Sequence, residues 1–254
     1  MNPFGLMLRQ VRFENRAFWR NPAVAFFTFV FPLMFLVIFN VLFTDEIDIG
    51  NKSIAGSNFY VPVIGAFAII TACYTNLAMS ISFSKDEGIL KRKRGTPLPS
   101  WAFLGGRILH SILIALLLIA IVVAFGSVFY DVEVAAESLP EFLLTIVVGA
   151  ITFCSLGLAI TSVVPNADAA PAVINFSILP LLFISDIFIP TANAPDWITT
   201  VAEIFPIKPF SDAMKAAFNP DVFDFEFGDL LFVLGWGVLG IVLATRFFTW
   251  EPNH

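Results

Sequence analysis

Few residues in this sequence are equipped to do chemistry. The 254-residue chain has two histidines, His110 and His254, and two cysteines, Cys73 and Cys154. Metal sites gather such ligands at short, characteristic spacings. None of the four stands close to another in sequence, so no metal site and no bound cofactor is expected. Both cysteines lie in apolar runs, where a thiol behaves as a small hydrophobe. The carboxylates Asp45/Glu46 and Asp221/Asp224 are paired as acid–base work requires. No nucleophile pattern accompanies them, and a solvated face explains them better. No catalytic residue is expected. The G-x-x-x-x-G-K-S/T run that cradles nucleotide phosphates does not occur.

What remains is charge and polarity at chosen places. From Ser84 to Pro99 the sequence reads SKDEGILKRKRGTPLP. Asp86 and Glu87, with Gly88 after them, precede Lys91, Arg92, Lys93 and Arg94 by about one turn, which suits a short helix with acids at its start and bases at its end. Gly95, Pro97 and Pro99 then stop it. Such a helix serves as a handle for a partner or as a topology signal touching anionic lipid. Near the N-terminus Arg9, Arg12, Arg16 and Arg20 form one stripe, and Phe4, Leu8, Val11 and Phe18 another. That is the pattern of a helix lying in a membrane interface, broken before the first long apolar run by Asn21-Pro22. Inside apolar runs stand Thr71, Asn76, Ser80 and Ser82, and later Asn175 and Ser177 flanking Phe176. These polar groups suit interhelical packing or the wall of a conduit, and Pro171 and Pro180 would kink the second run.

The elements that carry these groups are membrane helices. Hydrophobic residues make up 58% of the chain and charged residues 13%, where a soluble domain carries about 25% charged; mean hydropathy is +0.86. Six charge-free stretches, Ala23–Phe43, Phe59–Ser84, Ile108–Tyr130, Phe142–Val164, Ala169–Ser185 and Leu230–Thr245, read as spans. A bilayer core needs about 20 apolar residues as helix, and the fifth and sixth runs are short. The first is too long for a signal-peptide core and is followed by no small-residue cleavage site, so it is expected to remain as a span. With no acid or base inside the six spans, the ionisable groups typical of ion-coupled carriers are missing. Energy is expected from a partner.

The net charge of −6 divides unevenly. One side of the six-span arrangement holds eleven bases and five acids; the other holds three bases, Lys52, Lys208 and Lys215, and fifteen acids. That bias places both termini in the cytoplasm of a multi-pass cell-membrane protein. A nucleic-acid partner is not expected.

At this point the order of residues resembles a known family. Glu87-Gly88, the basic run and Thr96-Pro97-Leu98-Pro99 look like the loop after the second helix of ABC-2-type exporter permeases. Ser185-Asp186-Ile187-Phe188-Ile189-Pro190, Ala194-Pro195-Asp196-Trp197, Ile204-Phe205-Pro206 and Phe210-Ser211-Asp212-Ala213-Met214-Lys215 look like that family's segment between helices 5 and 6. The flavour is that of the daunorubicin-resistance permeases. Two departures stand out: Asp186 where the family commonly has glycine, and no arginine near Lys215.

The resemblance implies an all-α integral membrane protein, one permease domain over residues 1–254. Residues 1–22 would be an interfacial connecting helix, 84–100 a cytoplasmic coupling loop carrying Asp86 to Arg94 and Pro97, and 186–229 a re-entrant outer segment. The chain would pair with a second copy, sit in membrane lipid and take its energy from a separate ABC ATPase subunit holding ATP and magnesium. Thr71, Asn76, Ser80, Asn175 and Phe176 would lie near the conduit, and Asp186 and Trp197 at the outer mouth. The cargo would be a hydrophobic or amphipathic molecule: a drug, a lipid or a glycolipid. The alternatives are an ATP-independent channel or secondary carrier, or a membrane-embedded enzyme or sensor acting on lipid.

Overall fold

Backbone groups in hydrocarbon have no water to bond, so the apolar runs satisfy their own N–H and C=O groups as helices. The computed structural model describes residues 3–43, 47–49, 52–95, 99–132, 136–189 and 194–250; the side chains of residues 3, 47–49, 52, 53, 93, 94 and 136 lie outside the description. In chain order the elements are α1 (Pro3–Trp19), α2 (Pro22–Leu42), β1 (Ile47–Ile49), β2 (Lys52–Ile54), α3 (Gly56–Ile70), a π-helical turn (Thr71–Asn76), α4 (Leu77–Asp86), α5 (Ile89–Arg94) and α6 (Ser100–Tyr130). They continue with a 3₁₀ turn (Ala136–Ser138), α7 (Leu139–Ile160), α8 (Ala170–Phe183), α9 (Asp196–Ile204), α10 (Ile207–Phe218) and α11 (Phe227–Phe247). The sole exception to helix among the described elements is the antiparallel pair β1–β2, registered Ile47 to Ile54.

Among the described residues five helices are long and apolar enough to cross a membrane: α2, the continuous Gly56–Asp86, α6, α7 and α11. This is a multi-pass membrane protein. The fifth expected span, Ala169–Ser185, is α8, a helix of 14 residues. At 1.5 Å per residue it reaches roughly 21 Å, short of a bilayer core of ~30 Å. Pro171 stands in its first turn, where a missing N–H breaks no bond, so it starts the helix and does not kink it. Pro180 lies inside.

Gly56–Asp86 is the axis of the fold, 83% buried over its apolar window against 22–50% for the other four spans. One turn in its middle is π-helical, a wider turn that accommodates one extra residue. The widened backbone presses on α7: a Cβ at Gly157 would stand 3.0 Å from both Cys73 O and Tyr74 O, so a side chain there would require the backbone to give by a few tenths of an ångström. On its other face α7 meets α11 along a small-residue seam. Gly237 and Gly240 lie against Thr152 and Ser155, whose hydroxyls donate to Val233 O (3.1 Å) and Gly237 O (2.9 Å). Helix association in lipid relies on such close packing and hydrogen bonding. An aromatic knot of Phe35, Phe39, Phe67 and Phe188, with ring centroids 5.2–6.3 Å apart, ties α2 to α3. Both cysteines are buried as free thiols.

Candidate functional site

Polar and charged groups concentrate at two ends of this bundle. The first is the basic end, where α1, α4, α5 and the start of α6 meet. Of the apolar stripe on α1, Val11 and Phe18 are half-buried. Phe4 and Leu8 are 64% and 59% exposed, while Met7 and Gln10 lie against Gly105 and Gly106 of α6. Two consecutive glycines let α1 sit down on α6, and the docking face rotates toward them. Arg9, Arg12, Arg16 and Arg20 all face outward, exposed.

A buried clasp holds this corner. Arg107 donates through Nε to Glu14 Oε1 (2.9 Å), through Nη1 to Ser80 O (3.2 Å) and through Nη2 to Ser84 Oγ (2.8 Å). Gln10 Nε2 donates to the same Glu14 oxygen at 2.7 Å, and the guanidinium lies 4.9 Å over the Phe103 ring. One arginine thus joins α1 to the end of α4. Beside the clasp opens a cleft of about 520 Å³ lined by α1, α2, the π turn, α4, α6 and Pro171 of α8. Asn76 and Ser80, two of the expected conduit residues, are on its wall together with Glu87. Asn76 Nδ2 also donates to Thr28 Oγ1 of α2 at 3.1 Å.

The acids of the basic loop do not sit where the spacing predicted. Asp86 ends α4 and Glu87 caps it; Gly88 then takes φ +67, a left-handed position that suits glycine, and α5 begins afresh at Ile89. Asp86 and Glu87 therefore belong to the long central helix. The helix they were expected to start carries only bases after Leu90, with Lys91 and Arg92 exposed. Lys93 and Arg94 close α5 in backbone, and Pro97 lies outside the described residues.

At the acidic end the arrangement is closed. Asp186, 8% exposed, has φ +60, and its Oδ2 accepts from Lys208 (3.1 Å) and Lys215 (3.0 Å). Asp212 closes the group, with Oδ2 3.3 Å from Lys208 and Oδ1 2.6 Å from Lys215. Burial alone would lower Lys208, yet Asp212 and Asp186 outweigh it and hold the ammonium above its ordinary value. A left-handed φ suits the glycine that the resemblance implied here. Aspartate tolerates that conformation better than most residues, and it gains two cations. Trp197, the other outer-mouth residue, is 68% exposed on α9, and the structure does not bring the two together.

The remaining conduit residues scatter. Thr71 opens the π turn and Asn175 is half-buried, while Phe176 is 81% exposed. None of the three is on the cleft wall. The tie between the π turn and α8 is one the sequence reading did not single out: Tyr74 Oη and Ser177 Oγ, 2.6 Å apart. That pair borders a second cavity of about 590 Å³, almost wholly apolar, between α7, α8, α10 and α11. Glu14, Arg107 and Tyr74 were missed as well. Lys208, Asp212 and Lys215 left a signal in their spacings of four and three, which set them on one helix face. No group of three or more His, Cys, Asp or Glu residues fit to hold a metal ion occurs among the described residues.

Five apolar spans and the shorter α8, with a basic helix after the second span and the short helices α9 and α10 before the last, invite comparison with known proteins. Residues 7–219 match the family described as ABC-2 type transporter. The chain belongs to that family. It is 25% identical over 163 residues to the Escherichia coli (strain K12) protein named probable multidrug ABC transporter permease YbhR, a match covering 64% of this chain and 44% of the relative. It is 22% identical over 234 residues to the putative transport permease ycf38 of Porphyra purpurea, covering 91% of this chain and 79% of that one. The ABC-2 chain thus spans less than half the length of the YbhR relative. Both relatives are named as permeases, and the family is that of ABC-2 type transporters.

Proposed function

We propose that this ABC-2 chain is the membrane subunit of an ATP-driven exporter, working as a pair with a second copy and energised by a separate ABC ATPase that binds ATP and magnesium. The observation that carries the reading is the join at Gly88. The central, most buried helix runs out of the bundle to Glu87, turns at φ +67 and continues as α5, whose Lys91 and Arg92 are exposed. A push on α5 is delivered straight to the axis of the fold, and the Arg107 clasp shares it with α1. The basic end is then cytoplasmic, as the distribution of Lys and Arg favours, with both termini on that side of the cell membrane.

In this reading α8 is the fifth of six spans and α9–α10 the re-entrant outer cap. Depth supports the cap. Phe210 of α10 packs on Phe153 of α7, centroids 5.2 Å apart, and also against Gly149. Gly149 stands ten residues into α7, about 15 Å along its axis. The exposed face of Phe176 suits the second copy, with Asn76, Ser80, Asn175 and Thr71 toward the path between subunits. A hydrophobic or amphipathic cargo fits walls of this composition.

Affinity purification of the chain from its own host tests the reading. An ATPase subunit should co-purify, and Lys91→Gln/Arg92→Gln should reduce its recovery and ATP-dependent transport several-fold. Gradient-driven transport by the chain alone in liposomes, with no ATPase recovered, would instead establish the ATP-independent carrier.

A further inference from the structure

The way α1 lies on α6 fixes the depth of its arginines. Phe4 meets Trp101, ring centroids 6.1 Å apart; Met7 and Gln10 lie against Gly105 and Gly106; Glu14 bonds Arg107; Phe18 meets His110 at 5.8 Å. Read in order, α1 descends α6 from its start. With 31 residues, α6 is about 46 Å long, more than a hydrocarbon core of ~30 Å needs, so its first turns stand outside the core. Arg107 is its last charged residue, and a charge-free run begins at Ile108. The Phe18 end of α1 therefore lies level with the edge of the hydrocarbon, and the Phe4 end stands farther out.

With 3.6 residues per turn, Arg9, Arg12, Arg16 and Arg20 fall on the side of α1 turned away from Gln10 and Glu14, and all four are exposed. The sole acid of α1 is Glu14, which Arg107 engages. Arg16 and Arg20, one turn apart and so neighbours on the helix surface, belong to the deep end; Arg9 and Arg12 belong to the outer one. Between Arg16 and Arg20 in sequence stands Trp19, 52% exposed. Its indole is stacked on Phe29 of α2, 5.6 Å between centroids, and its Nε1 donates to Asn15 Oδ1 at 3.1 Å. An indole at this level is an interfacial anchor, with two guanidinium groups beside it on the helix.

We propose that Arg16 and Arg20 hold the headgroup of a monoanionic phospholipid of the surrounding leaflet, with its acyl chains running past Trp19 and Phe29. Guanidinium groups match phosphate oxygens in geometry as well as charge. A choline or ethanolamine headgroup carries its own ammonium, which the pair repels. Charge and depth together favour lipid over a protein partner at this pair, because a soluble subunit meets the outer half of α1 first. The bound headgroup steadies α1 two residues from Glu14, so the Arg107 clasp is coupled to the charge of the leaflet. The proposal shares with the transport reading only the placing of the basic end at a membrane surface, and binding is measurable without any ATPase.

The test reconstitutes the full chain in vesicles of equal parts phosphatidylglycerol and phosphatidylcholine, one of the two brominated. Bromine quenches a neighbouring indole, and the difference between each protein and its Trp19→Phe counterpart isolates the signal of Trp19. A preference for phosphatidylglycerol of about tenfold is expected there, the order that two bases at a membrane surface supply. Arg16→Gln/Arg20→Gln should bring it to within about twofold of parity. Arg9→Gln/Arg12→Gln removes the same charge farther out and should keep most of the preference. Both double variants should melt with the parent, since exposed residues are changed. Parity in the parent, or equal loss in the two double variants, overturns the site as diffuse surface attraction. Displacement by soluble glycerol 1-phosphate would overturn the lipid as its occupant. So would an Arg16→Gln/Arg20→Gln chain that loses ATPase recovery while its lipid preference stays intact, which would give the pair to a protein. Parity in the parent would leave ATPase co-purification untouched, so the two readings fail separately.

Discussion

The two ends of the bundle solve one problem in opposite ways. Each must tie a short amphipathic helix to long apolar ones, and each uses buried lysine or arginine on a carboxylate. At the acidic end the group is self-contained: Asp186 and Asp212 meet Lys208 and Lys215, two charges of each sign, and α10 is packed on α3, α7 and α11. At the basic end the pair Glu14 and Arg107 stands on the wall of an open cleft with exposed bases around it. Charge buried away from water has to be matched locally. Charge that water reaches needs no such match. The acidic end therefore reads as a built cap and the basic end as a surface made to be moved.

That contrast orders the effects of mutation. Asp186→Ala leaves two buried ammonium groups on the single carboxylate of Asp212, and breaking a buried pair costs about 3–5 kcal/mol. A large fall in thermal unfolding temperature in detergent is expected. Asp186→Gly should be milder by roughly 1 kcal/mol, because glycine adopts the φ of +60 without the penalty that a side chain meets there. Adding Lys215→Met to Asp186→Gly should recover much of the loss. If Asp186→Ala leaves the transition unchanged, the closed cap is not held by its charges and the comparison collapses.

Next in size is the approach of α7 to the π turn. Gly157→Ala sets a methyl 3.0 Å from two carbonyl oxygens, and overpacking of this kind costs about 1–3 kcal/mol. A methyl here should also loosen the Tyr74–Ser177 pair. Slower unfolding than the parent would show that the wide turn tolerates the group and is not clamped by α7.

Glu14→Gln probes the open end. Glutamine still accepts from Arg107, and water in the cleft hydrates what it does not, so a loss of about 1–2 kcal/mol is expected, in line with a hydrogen bond to a charged group. Thermal shifts measured side by side with Asp186→Ala decide the matter: equal losses would mean that the two ends are buried alike.

How much of this was legible follows from the reach of each signal. The long spans are written in uninterrupted apolar runs, and those survive any packing. The charge division between the ends needed only Lys and Arg counting. Asn76, Ser80 and Glu87 were marked individually, but that they share one cleft depends on helices meeting across dozens of residues. That α1 sits on α6 could not be read from its own residues, because the decisive feature is Gly105-Gly106 on another helix. Asp86 and Glu87 were assigned to the wrong helix since the break comes from the φ of Gly88, and a glycine in sequence does not announce which side it closes. The strands β1 and β2, three residues each, carry too little alternation to stand out. The Tyr74–Ser177 contact spans 103 positions and left no local trace.

The smallest expected effect tests the comparison most sharply. Lys91 and Arg92 are exposed on a six-residue helix, and surface substitutions away from packed features usually move stability by no more than about 0.5 kcal/mol. Lys91→Gln/Arg92→Gln should therefore unfold with the parent while losing ATPase recovery, a separation of function from stability that no substitution in the Asp186 group should produce. The reason is physical: at the acidic end the charges are the packing, whereas on α5 they stand outside it. A double variant that unfolded several degrees early would place α5 within the fold's own core, and the basic end would then be a cap like the other.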